Sequence, residues 1–369
     1  MRQTIDAIRQ WIAHQWTVLK SWMLRQWQRF VPWFMRKWSL FKALVNRMWH
    51  LWTDRDNRWL SLPCTVAALL VLLVSVKSCQ GIVYNFTPEC KILKLGYPID
   101  EARALAAALN HEQVDSLIAR GEHDTIAYPI INERYYIAGN FDRYLAFHKA
   151  DTTGASLGDI VASVNVGIDR DTQESAVPCD TTMDRLMLVN RYHYIDEHHK
   201  PGKLKEFKEI FRYEEQKAAP VVVEAFEAMQ QDCKKQTGAQ LMVNSAYRSY
   251  QQQIGTHKRN PKGYAARAGF SEHQTGFAID VTSLQHPMRW PFDTSEEGIW
   301  MREHCHEYGF ILRYPKDRCH IMNYNYEPWH LRYVGKVAAR QMHDEGITFD
   351  EYYAYYIDNK EPHAKTPSR

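Results

Sequence analysis

Apolar and polar positions follow three regimes along this chain. In the first, Trp11, Trp22 and Trp33 lie eleven residues apart, and so do Trp16, Trp27, Trp38 and Trp49. Eleven residues make about three helical turns, so each series drifts only about 20° per repeat. Arg9, Lys20, Arg25, Arg29, Arg36, Lys37, Lys42 and Arg47 fill the positions between. The pattern predicts a helical segment over 1–58, interrupted before Pro32. In the second regime, residues 60–76 carry no charge and are mostly apolar all round. A core helix would be amphipathic, whereas seventeen such residues give about 26 Å of helix, the short end of a bilayer span. With Trp59 extending the run and Arg58 and Lys77 flanking it, a transmembrane helix is expected over 59–77.

The third regime is globular. After a linker over 78–92, a helical leader is expected over 93–174, then a mixed region over 175–358 and a disordered tail over 359–369. Asp100 is placed to cap a helix carrying Leu105, Ala108 and Leu109, and two or three short helices are expected through about residue 160. Residues 160–167 read as a helix end or a strand, and 187–190 as a short strand. Pro220 opens a helix with Val222, Ala225, Phe226, Met229 and Cys233 on one side, ending near Gly238. Strands over 241–244, 277–282, 310–313 and 329–333 alternate with helices. These start near Tyr247, with Ser245 or Ser249 as cap, and run over 295–308, 334–343 and 349–357. The alternation, without a glycine-rich dinucleotide turn, predicts an α+β fold.

Charge sharpens the picture of the first regime. Residues 1–58 hold eleven Lys/Arg against three Asp/Glu and, with Trp59, nine of the twelve tryptophans. A basic, Trp-rich head on a mildly acidic body points to a lipid bilayer as partner and not to nucleic acid. A helical oligomerisation stalk is the other reading of the same periodicity. Basic residues stay on the cytoplasmic side of a span, so the expectation is a single-pass protein of the cell membrane. Its N-terminus is then cytoplasmic and its globular region extracytoplasmic. The seven cysteines form no CxxC pair, which argues against a structural zinc knuckle. Cys79 with Cys90 and Cys305 with Cys319 are local disulfide candidates, and buried free thiols are the alternative.

The chemistry concentrates in Ser271-Glu272-His273-Gln274-Thr275-Gly276-Phe277-Ala278-Ile279-Asp280 and, about fifty residues on, Glu327-Pro328-Trp329-His330. Gly276 lets the chain turn between His273 and Asp280 and, with Ala278, lets backbone approach the site closely. Two imidazoles and a carboxylate from separate segments make a three-ligand metal set with a fourth position for water, and a spare carboxylate can take that water's proton. His257, His286, His304, His306, His320 and His343 are further histidines; His304 and His306, two apart on a helix, do not face one another. The hydrophilic stretch 285–293 is placed to shape a substrate cleft.

Ser-x-His-x-x-Gly-x-Ala-x-Asp followed by Glu-Pro-Trp-His resembles the signature of the D-alanyl-D-alanine carboxypeptidase family of zinc peptidases, VanY type. Tyr247-Arg248-Ser249-Tyr250, Tyr308-Gly309-Phe310-Ile311-Leu312-Arg313-Tyr314-Pro315 and Arg332-Tyr333-Val334-Gly335 fit the same family. So do Leu95-Gly96-Tyr97, Asn140-Phe141-Asp142-Arg143-Tyr144 and Leu188-Val189-Asn190-Arg191-Tyr192 in the leader. The resemblance covers roughly 93–357 and leaves the Trp-rich head unassigned. It implies a small mixed or antiparallel sheet with flanking helices, one catalytic Zn2+ held by His273, Asp280 and His330, and Glu327 as general base. It implies Arg248 near the scissile carbonyl or terminal carboxylate, and Gln253 and Ser271 as substrate hydrogen-bonders. The activity it implies is removal of the C-terminal D-alanine from peptidoglycan stem peptides. An L,D-carboxypeptidase or endopeptidase on the same peptides, and a metal-containing cell-wall binding domain without turnover, share these motifs.

Overall fold

In the computed structural model, residues 84–359 are described apart from 86, 171–175, 261–263 and 288, together with 39, 42, 43 and 46. The expected Trp-rich helix, the expected span over 59–77 and the tail from 360 lie outside the described residues but for those four. Among the described residues, no helix is long and apolar enough to cross a membrane. The chain divides into two compact units, 1–102 and 103–369. In the first, α1 (Pro88–Leu93) starts where Thr87 accepts from the amide of Cys90.

Five helices occupy the leader where two or three were expected: α2 (Ile99–Ala108), α3 (His111–Arg120), α4 (Ala127–Ile131), α5 (Phe141–Ala150) and α6 (Leu157–Val166). Asp100 lies in the first turn of α2 and not at its cap. Asn110 and Gln113 form a capping box that starts α3, a signal the apolar periodicity does not carry. The stretch 160–167 belongs to α6, which Gly167 ends in the left-handed conformation. Residues 187–190 form no strand. Met187 and Asn190 serve other partners: Met187 offers its carbonyl to Arg332, and the Asn190 side chain accepts from the amides of Tyr192 and His193.

Residues 177–218 contribute two small pairs: parallel β1 (Val177–Pro178) and β2 (His193–Tyr194), and antiparallel β3 (Lys205–Glu206) and β4 (Lys217–Ala218). The α+β expectation holds in the remainder. Helix α7 (Pro220–Thr237) starts at its proline and ends at left-handed Gly238. The main sheet contains β5 (Leu241–Ser245), β6 (Ala278–Ser283), β7 (Phe310–Tyr314) and β8 (Glu327–Tyr333). It is fully antiparallel, in the order β5-β6-β8-β7. Between the strands lie α8 (Tyr250–Arg259), α9 (Arg289–Asp293), α10 (Glu296–His304) and α11 (Cys319–Met322); α12 (Lys336–Glu345) and α13 (Phe349–Tyr352) follow them. Ser249, not Ser245, caps α8.

Side-chain alternation divides the sheet into two faces. Leu241, Val243, Ile279, Val281 and Leu331 join Val222, Phe226 and Met229 of α7 and Met301 of α10 in one core. The intervening residues Asp280, His330 and Arg332 point the other way, and all three are buried. The strands therefore present three charged or polar groups inside the protein. That is tolerable only where partners are supplied.

Candidate active site

Three elements bring the motif residues together. The 3-10 turn Glu272–Thr275 is buried throughout, and Gly276 ends it at φ +76° before β6 begins. Asp280 on β6 stands directly across from His330 on β8. Both neighbouring ladders are irregular at this point: the β5–β6 register shifts between Val243 and Ser245, opposite Asp280. The β7–β8 register shifts between Leu312 and Tyr314, opposite the Glu327–His330 stretch. Such bulges re-aim side chains. Glu327 and His330 are an odd number of residues apart, yet Glu327 Oε2 lies 3.7 Å from His330 Nδ1.

Donor atoms converge on one point. His330 Nδ1 is 3.1 Å and His273 Nε2 3.5 Å from Asp280 Oδ1, and the ligand atoms of His273, Asp280 and His330 all lie within 4.8 Å of one another. Donors of a tetrahedral ion bound at about 2.1 Å stand roughly 3.4 Å apart, so the spacing fits. The second nitrogen of each ring is held from outside. His273 Nδ1 is 2.6 Å from the carbonyl of Ala246, to which it donates, and His330 Nε2 is 3.4 Å from Glu272 Oε2. These contacts turn His273 Nε2 and His330 Nδ1 inward as lone-pair donors. His273 Nε2 and Asp280 Oδ1 are buried without a hydrogen bond among the described residues. A buried polar atom left unpaired is costly, and a cation between these atoms would satisfy both.

The electrostatics agree. Burial, with the Arg248 guanidinium nearby, pushes His273 down to about 4, so the ring is neutral at ordinary pH. For His330, burial works the other way, but the Asp280 and Glu272 carboxylates against its two nitrogens prevail and hold it up at about 9. Burial likewise opposes the charged form of Asp280, yet His273 and His330 keep it well below the usual carboxylate range. An arriving dication would displace the proton that this pair of carboxylates otherwise retains on His330. Glu327 is the exception among the acids: burial pushes it up to about 7.

These residues line a cavity of about 380 Å³. Arg248 and Ser271 are on its wall; the Arg248 amide donates to the carbonyl of His273, and its Nε is buried without a hydrogen-bond partner among the described residues. Gln253 is not on the wall. Its Nε2 donates to the carbonyl of Ala266 over 2.7 Å, supporting a loop whose residues 265–267 do line the cavity. The 285–293 stretch supplies Arg289, whose guanidinium carbon is 4.6 Å from the Trp329 ring centre. Of the further histidines, His257 reaches the cavity, while His304 pairs with Glu307 and His306 stacks on His343 away from it. Cys305 and Cys319 are free thiols, so the pairing considered for them does not form; Cys90 is free as well, and Cys79 lies outside the described residues.

Reading the sequence for ligands missed the support behind them. Glu272 is fully buried, with Arg313 Nε at 2.8 Å and Arg332 Nη1 at 3.0 Å from Oε1. Burial opposes its charge, but the two guanidiniums outweigh it and hold the carboxyl well below its ordinary range. The one local signal was an acid immediately before the first histidine.

Two inward-facing imidazoles, a buried aspartate and an adjacent glutamate in a walled cavity define a metallopeptidase type of centre. Residues 215–336 match the family described as VanY: D-alanyl-D-alanine carboxypeptidase. Through that region the chain belongs to the VanY-type family of zinc metallopeptidases. It is 36% identical over 181 residues to YodJ of Bacillus subtilis (strain 168), covering 46% of this chain and 66% of that protein. It is 34% identical over 139 residues to the D-alanyl-D-alanine carboxypeptidase of Enterococcus faecium, covering 38% and 45% respectively. The solved LdcB LD-carboxypeptidase is 34% identical, with a TM-score of 0.44 over 47% of this chain and 87% of that one. The chain thus spans roughly half to two thirds of the curated relatives' length.

Proposed function

We propose that this protein is a zinc-dependent D-alanyl-D-alanine carboxypeptidase that removes the C-terminal D-alanine of peptidoglycan stem peptides. The observation that carries this reading is the convergence of His273 Nε2 and Asp280 Oδ1, both buried without a hydrogen bond among the described residues, on His330 Nδ1, with Glu327 3.7 Å from that nitrogen. The E. faecium relative bears that activity in its name. His273, Asp280 and His330 would hold one Zn2+, which when bound supplies a Lewis acid that polarises the scissile carbonyl and acidifies water. Glu327, in its carboxylate form, takes the proton of the attacking water and returns it to the leaving amine. Arg248 supplies charge-assisted hydrogen bonds to the terminal carboxylate or to the oxygen that becomes negative. Ser271, on the cavity wall, is available to the peptide backbone; Gln253 acts from behind the wall through Ala266.

The test is alanine release from a synthetic stem pentapeptide by the full-length protein. Activity is expected to vanish on chelation and return with one equivalent of Zn2+. Release that survives chelation sinks the mechanism. Cleavage of the tetrapeptide but not the pentapeptide assigns the protein to L,D chemistry instead.

The same proposal places the site outside the cytoplasmic membrane, anchored by residues 59–77. The support is sequence alone: an uncharged apolar run next to the basic, Trp-rich head. The full-length chain is expected to sediment with membranes and resist carbonate extraction, with residues 103–359 open to protease added from outside. Extraction by carbonate would overturn the anchor.

A further inference from the structure

Behind His330 lies a buried chain of polar groups that runs beyond the matched region 215–336 at both ends. Glu272 Oε1 is fully engaged by Arg313 Nε and Arg332 Nη1, which leaves only Oε2 for His330 Nε2. Each guanidinium is fixed in turn. Arg332 Nη2 donates to the carbonyls of Arg185 and Met187, at 3.1 and 2.7 Å. Arg313 Nη1 donates to Asp350 Oδ2 at 2.5 Å. Asp350, on α13, receives Asn190 Nδ2 on its other oxygen at 2.7 Å, and Asn190 is itself held by the amides of Tyr192 and His193. Glu272, Arg313, Arg332 and Asp350 are all buried, two acids against two bases.

The geometry has a direct chemical consequence. An imidazole can rotate to present either nitrogen, and the partner of the outer nitrogen decides which faces a metal. Here that partner is a carboxylate that cannot turn, because its other oxygen is clamped by two arginines. The clamp holds only while both arginines are oriented, and Arg313 takes its orientation from Asp350. We propose that Asp350 and Asn190 are positioning residues for the metal ligand His330, acting through Arg313 and Glu272. The segment 185–193 and helix α13 then belong to the catalytic unit, although neither touches the cavity donors. The inference rests on reading the site as a zinc centre.

The test uses the full-length protein and no substrate. Zn2+ affinity is measured by competition with a chromophoric chelator, and the ligand geometry by the visible absorption of the Co2+ form. Loss of an outer partner of a ligating histidine typically weakens metal binding about 10–100-fold, the range expected for Glu272→Gln. For Arg313→Met/Asp350→Leu, an apolar pair that strands no buried charge, a loss of roughly tenfold and a shifted Co2+ spectrum are expected. A merely structural pair would lower the melting temperature of the metal-free protein and leave both readouts unchanged in the folded state. That outcome overturns the proposal. If the double variant does not fold, Asp350→Asn carries the same comparison under the same criterion. Wild-type protein that takes up no zinc would instead sink the reading of the site itself.

Discussion

Glu327→Gln is expected to lower kcat by roughly 10²–10⁴-fold, the usual range for loss of a positioned general base, while zinc stays bound and KM changes little. Glutamine keeps the shape and hydrogen-bonding capacity of the side chain and removes only its ability to accept a proton. In the proposed site His273, Asp280 and His330 would hold the ion, so the substitution gives it no reason to leave. The pH profile supplies a second readout. Burial pushes Glu327 up to about 7 in the metal-free site, and a dication beside it lowers that value. The active form is the carboxylate, so kcat/KM falls as the pH drops through the Glu327 pKa, and the acid limb lies below 7. In Glu327→Gln that limb should disappear from whatever activity remains. A variant that loses zinc along with activity would make Glu327 a ligand, and one that keeps most of its kcat would remove it from the mechanism.

The clustering of His273, Asp280 and His330 was legible in the sequence because each residue sits inside a short motif whose neighbours explain its placement. Gly276 takes the left-handed turn that separates His273 from Asp280, and strand alternation then puts Asp280 and His330 on one face. Glu327 was legible as a motif member, but its approach to His330 depends on a register shift opposite residues 312–314 that no local pattern announces. The helices of the leader were under-counted because their starts depend on caps, such as Asn110 with Gln113, in stretches where apolar periodicity is weak. The resemblance implies Gln253 as a substrate hydrogen-bonder, and tertiary packing turns it under the loop at Ala266 instead. Glu272 and Arg313 were invisible as a pair because they are forty-one residues apart in the chain. A charged residue in an apolar strand reads locally as a surface position, and only the folded sheet shows that both of its sides are covered.

Arg248→Met is expected to lower kcat/KM by about 10²–10³-fold with little change in stability or zinc content. The stability half follows from what Arg248 lacks. Among the described residues it makes no ion pair, and its Nε is buried unsatisfied, so an apolar replacement strands no partner. The catalytic half follows from where it stands. It shares the cavity wall with His273, Asp280 and Glu327, and its amide is tied to the His273 carbonyl, which keeps the residue in register with the metal set. A guanidinium there costs folding energy and, among the described residues, has Asp280 and Glu327 nearby but no acid at ion-pair distance, which is the arrangement expected of a group that waits for an anion on the substrate. Two substrates tell its targets apart. If Arg248 binds the terminal carboxylate, amidating that carboxylate should penalise the wild type as much as Arg248→Met does, and the variant should not distinguish the two peptides. If it stabilises the oxygen of the breaking bond, the variant should lose kcat on both peptides alike. Arg248→Lys should recover part of the loss in either case, because it restores charge without the bidentate fork. A methionine variant that cleaves both peptides at the wild-type rate would leave Arg248 as a residue of the wall and nothing more.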